Sequence, residues 1–163
     1  MQKMLETLTG SLHSMTKSLE VIFVSEGMKD AARIIVNEEQ AEGVSEAIRK
    51  LNLIVEASDF KIKKEVDELR KYSDKGFRID RNAPEKGQVF LYIARKRDIA
   101  LGAKNYENQN NHAELGKVLG YPKCCCDFFA DNFNNENTDL TFKILENSNG
   151  YEFPFYNNIA ARH

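Results

Sequence analysis

The sequence predicts a helix-rich α+β domain built on a small central sheet of about three strands. Two segments carry the sheet. Residues 53–57 are apolar and β-branched, and Gln88–Ala94 is apolar on both faces, with Val89, Leu91 and Ile93 alternating with Phe90 and Tyr92. The helices show first at the N-terminus, where Leu5, Leu8, Leu12, Met15, Leu19 and Ile22 are spaced 3, 4, 3, 4, 3.

A length of 163 residues, with 42% hydrophobic and 29% charged side chains, suits one globular domain. It is expected to run from a heptad-patterned helix (1–25) through an α+β core (28–110) to a cysteine-bearing helical and aromatic part (112–163). No apolar run approaches the roughly 18 residues of a membrane span. The amphipathic N-terminus lacks the continuous apolar stretch of a secretory signal. Three consecutive cysteines are odd in number and form no disulfide framework, so a cytoplasmic location is expected. Net charge is −2 but uneven: residues 61–104 hold thirteen Lys/Arg against seven Asp/Glu, and residues 105–163 hold four against eight.

The N-terminal rhythm predicts one helix to about Ser25, weakened at Gly10 by about 1 kcal/mol relative to Ala. Its stripe could be the seam of a homodimeric coiled coil or the buried face of a bundle helix. Helices are predicted over 28–36 (Met28, Ala31, Ala32, Ile35) and 38–51 (Ala41, Val44, Ile48, Leu51). Residues 53–57 follow as a strand. Ser58-Asp59 then reads as the cap of a helix buried along Ile62, Val66 and Leu69. Residues 77–80 and 88–94 read as strands joined by a turn-rich loop, with antiparallel pairing between them. Helical spacing returns at 95–106 through Ile99, Ala103 and Tyr106. A polar loop follows at 106–111, then a short helix at 112–119 closed by Gly120. Beyond the cysteines, an Asn-rich turn at 132–138, a helix to about 146 and an aromatic extended segment at 151–156 complete the chain.

Pro122 suits a first helical position, so Lys123, Cys124, Cys125, Cys126 and Asp127 fall in the first turns of a helix. At about 100° per residue, Cys125 points into the arc of Phe128, Phe129 and Phe133, and Cys124 and Cys126 flank it. Cys125 is therefore expected to be buried, and the three thiols are not expected to converge. A self-contained four-ligand zinc site is excluded. Any zinc or iron–sulfur centre would draw on Cys124, Cys126 and His112, with ligands from elsewhere; His13, His112 and His163 are the only histidines. Thiol reactivity has a second rationale. A helix N-terminus and the adjacent Lys123 stabilise a thiolate at Cys124, while Asp127 and Asp131 oppose it. Cys124 is the candidate reactive or ligating group, with Tyr121, Lys123 and Asp127 as its binding surroundings.

The run from Leu119 to Phe129 resembles the LGYPxCCxxFF signature of an uncharacterised, largely archaeal family of unknown function. The likeness extends to the Leu91-Tyr92-Ile93 strand and the helix at 117–119, and so over much of residues 50–160. It implies that Gly120, Tyr121, Pro122, Cys124 and Cys125 are marker positions and that Cys126 is particular to this chain. It brings no established activity. The resemblance also implies longer relatives with further cysteines downstream of the aromatic segment; this chain is then either a shorter member or one cut short after His163, and in the second case a metal or cluster site would be incomplete.

No phosphate-binding loop, dinucleotide fingerprint, nucleophile elbow or zinc-protease motif is present. A cysteine paired with His112 as base is a further arrangement to weigh, against a His112 that is simply solvated. The alternative function is a non-enzymatic RNA- or protein-binding module using the basic 61–104 segment. There Lys61, Lys63, Lys64, Arg70, Lys71, Arg78, Arg81, Arg95, Lys96 and Arg97 would contact phosphates, and Tyr92 or Phe90 would stack bases. The interspersed Glu65, Asp67, Glu68 and Asp98 equally suit ordinary solvated faces.

Overall fold

The computed structural model describes residues 2–64 and 76–132. The chain divides into two compact units, Met1–Ala130 and Asp131–His163. The expectations for residues 133–163, and for Val66, Leu69, Arg70 and Lys71, lie outside the described residues.

Among the described residues the fold is α+β: six helices and a five-stranded antiparallel sheet, rather than three strands. β5 (Gln88–Ala94) is central. It pairs on one side with β1 (Ala31–Asn37), from Ala31↔Ala94 to Asn37↔Gln88. On its other side it pairs with β2 (Ile54–Ala57) and then β3 (Phe60–Lys64). β4 (Gly76–Asp80) completes the sheet beside β3. The antiparallel pairing expected between residues 77–80 and 88–94 is not formed, because β3 lies between the two strands.

Ser58-Asp59 is not a helix cap. Ala57 faces Leu91 and Ile62 faces Gln88, so five steps on one strand match three on the other. The surplus bulges out. The Ser58 hydroxyl secures the bulge, accepting from Phe90 N at 3.2 Å and donating to Phe60 O at 2.7 Å.

The N-terminal rhythm is spent on two helices, α1 (Gln2–Leu12) and α2 (Met15–Ser25). His13 turns left-handed at φ 49° and Ser14 caps α2 by accepting from Lys17 N. The expected single helix to Ser25 is therefore folded back on itself, and Met15 is exposed at the turn. Leu8, Leu12 and Ile22 pack with Ala32, Ile34 and Val36 of β1, Val44 and Ile48 of α3 (Ala41–Arg49), and Val89, Leu91 and Ile93 of β5. Burying each such side chain contributes about 1.5–3 kcal/mol.

The helix expected over 28–36 is instead β1. The apparent helical stripe comes from a strand covered on both faces. Ala32, Ile34 and Val36 enter the first core, and Ala31 enters the second. That second core lies on the other face of the sheet. It joins Tyr92 and Ala94 to Ala100 and Ala103 of α4 (Arg97–Asn108) and to Leu115 and Leu119, at and just beyond α5 (His112–Val118). α4 runs to Asn108, shortening the expected polar loop. No helix among the described residues is long and apolar enough to cross a membrane.

Candidate functional site

The cysteine helix is placed by the end of α5. Gly120 adopts φ 83°, and its N–H donates to Lys117 O while Tyr121 N donates to Gly116 O. This double closure needs a left-handed residue, which glycine supplies without strain. Tyr121-Pro122 then redirects the chain into α6 (Lys123–Asn132). The Pro122 carbonyl accepts from Cys125 N and Cys126 N at 2.9 and 3.1 Å, so Pro122 caps the helix rather than occupying its first turn. Cys124 and Cys125 then hold the second and third helical positions.

The helix presents a different face from the one expected. Cys126 is buried at 3% exposure, whereas Cys124 and Cys125 are exposed, as are Phe128 and Phe129. The buried member is Cys126, not Cys125, because α5 offers a gap at Gly116. Cys126 also directs its thiol to Tyr121 O at 3.6 Å. The Cys125 thiol is pushed up by partial desolvation, then by its hydrogen bond to Cys124. Cys126 is pushed up by desolvation and by Asp127, with Lys117 opposing.

The expected surroundings are only partly brought together. Lys123 Nζ is bound to Asp127 Oδ2 at 2.5 Å, an exposed pair one helical turn apart. The charge expected to favour a Cys124 thiolate is thereby engaged. Tyr121 is half-buried under Lys29, whose ammonium sits 5.9 Å from the ring centre, and burial raises its hydroxyl pKa. His112 begins α5, at the start of the helix expected over 112–119. Its ring packs edge-on to Phe129 at 5.6 Å. Phe129 lies five residues past Cys124, about 7.5 Å along the axis, so the fold does not build a Cys124, Cys126 and His112 ligand set. Among the described residues no three His, Cys, Asp or Glu side chains are grouped to hold a metal ion.

A second polar cluster was not foreseen. Glu107 of α4 is buried and receives Arg33 of β1 and Arg78 of β4, the latter at 3.0 Å. One signal for it was available: Ala100, Ala103 and Glu107 share a 3, 4 spacing, which places a carboxylate on the buried stripe of α4. Lys61, assigned above to an exposed basic face, is 2% exposed and donates to Glu38, Ala83 O and Glu85 O. Tyr92, assigned as a stacking platform, has no exposed surface.

The chain matches no family model, no curated protein and no solved structure.

Proposed function

We propose that this chain is a cytoplasmic thiol protein whose working element is the Cys124–Cys125 pair at the start of α6. In this reading the pair ligates a thiophilic ion instead of serving as a pre-ionised nucleophile. The observation that supports it is two consecutive exposed thiols at the start of a helix whose third sulfur is committed to packing. The upward shift of Cys125 argues against a resting thiolate. A soft ion needs none, because it displaces the thiol proton as it binds. Zinc takes four ligands and an iron–sulfur cluster is held by several thiolates. Either would need further ligands besides this pair. Membership of the LGYPxCCxxFF family belongs to the same proposal, since Cys124 and Cys125 are two of its marker positions.

The RNA-binding reading has less behind it, with Lys61 and Tyr92 interior. The N-terminal homodimer likewise loses its continuous seam at His13-Ser14.

Elemental analysis of protein purified without oxygen tests the thiol reading. A thiophilic metal is expected in the wild type and in Cys126→Ala, and is expected to be absent from the Cys124→Ser/Cys125→Ser double variant. Metal content that ignores the double substitution would overturn the reading. So would a metal-free protein whose exposed thiols added zinc fails to protect from alkylation.

A further inference from the structure

Arg33 and Arg78 come from opposite edges of the sheet and meet on one carboxylate, Glu107. Their guanidinium groups lie over Phe90 and Phe60, at 4.6 and 4.3 Å from the ring centres. Those rings in turn pack edge to face at 5.9 Å. Glu107 is closed off at 5% side-chain exposure, whereas the arginines keep 23% and 34%. Two cations on one buried anion leave a net positive charge on the open side. Glu107 takes a single terminal nitrogen from each arginine, and their other N–H groups have no protein acceptor among the described residues. Tyr92 stands directly opposite Arg33 in the β1–β5 ladder. It is fully buried, and its hydroxyl has no hydrogen-bond partner among the described residues. Buried hydroxyls nearly always have one.

We propose that Arg33 and Arg78 form a binding site for a phosphate group, seated on their spare N–H groups on the solvent side of Glu107. A planar carboxylate, Glu107, already occupies the inner side of the pair. The donors left over come from two forks on different strands, which suits the spread oxygens of a tetrahedral oxyanion. This site stands apart from the cysteine pair and does not rest on it.

His112 reports on the site, because it shares the fields of Glu107, Arg78 and Arg33. Its ring signals are followed by NMR during titration with inorganic phosphate, phenyl phosphate or acetate, with chloride holding ionic strength constant. Both phosphates are expected to move them saturably, and acetate to bind about tenfold more weakly. Tighter binding of phenyl phosphate identifies an ester as the ligand, and equal binding identifies the free anion. Arg33→Gln and Arg78→Gln should each weaken phosphate by about tenfold, and Arg97→Gln by less than about twofold. Because either arginine variant leaves Glu107 short of a partner, Glu107→Gln decides the matter. It keeps both cations, removes the competing charge and should tighten phosphate several-fold. No saturable shift in either wild type or Glu107→Gln, or weaker binding in a folded Glu107→Gln, overturns the proposal.

Discussion

A β-carbon placed on Gly116 of α5 would lie 2.7 Å from the sulfur of Cys126 on α6. The absence of a side chain at 116 is thus what lets the two helices close. Gly116→Ala should gain up to about 1 kcal/mol of helix propensity. It should lose more to overpacking, about 1–3 kcal/mol, because the obstacle is a short, buried side chain. We expect a net loss of about 1–2 kcal/mol, read from the urea midpoint at unchanged slope. Cys126→Ala in that background should restore most of it, so the two effects will not add.

Glu107 joins three elements that are far apart in sequence. Removing a buried carboxylate strands its partners, and breaking such pairs commonly costs 3–5 kcal/mol. Here both arginines are partly solvated, so we expect about 2–3 kcal/mol for Glu107→Ala. Arg33→Ala and Arg78→Ala should each cost less, since the other arginine still holds the carboxylate. Chemical denaturation of the three variants checks the ranking.

The elements legible in the sequence are those whose signal is local. The α5 helix, its closing Gly120 and the strand at the centre of the sheet follow from spacing, a left-handed glycine and an apolar run. The segments misread are those whose partners are distant. β1 is covered on both faces, so its twofold alternation is masked and Met28, Ala31, Ala32 and Ile35 imitate a helical stripe; the β-branched Ile34-Ile35-Val36 was the better guide. The break between α1 and α2 was visible as a Ser14 cap, yet the heptad spacing runs straight across it. The buried cysteine could not be chosen from α6 alone, since Cys126 is selected by a glycine ten residues earlier. Nothing local announced that Glu107 would meet Arg33, 74 residues away.

Lys61 is held by three oxygens, two of them carbonyls of the 81–87 loop. Lys61→Met keeps the volume and removes the charge. It leaves Ala83 O and Glu85 O without their donor, at about 1–3 kcal/mol for each carbonyl that water cannot reach. We expect a loss of about 2–3 kcal/mol overall, with faster hydrogen exchange concentrated in residues 81–87. Uniform acceleration throughout the sheet would instead mean that the lysine acts on global stability alone.

His112 makes stability depend on pH near neutrality. Burial holds its pKa below the ordinary 6.5, with Glu107 pulling it back and Arg78 and Arg33 pushing it down again. The unfolded chain therefore takes up a proton first on acidification. The stability contributed by the neutral ring is present at and above pH 6.5 and is lost as pH falls through the lower folded value. Urea unfolding at about pH 7.5 and 5.5 should show a decline in the wild type that Glu, Asp and Lys titrations do not account for. His112→Gln should flatten it.

The three sulfurs should separate kinetically in the folded protein. Cys124 and Cys125 are open to solvent, whereas Cys126 is sealed against Gly116 and reaches reagent only by local opening. Iodoacetamide followed by peptide mass mapping should label Cys126 about 100-fold more slowly than its neighbours, the factor reflecting an opening of roughly 3 kcal/mol. Because the Cys125 thiol titrates above its ordinary 9.0, its labelling should keep rising through pH 9 without a plateau near neutrality. A plateau below pH 8 would mean an activated thiolate and a nucleophilic role for the pair. Gly116→Ala supplies the internal control. By driving the Cys126 sulfur from its place it should narrow the gap in rate, while labelling of Cys124 stays as it was.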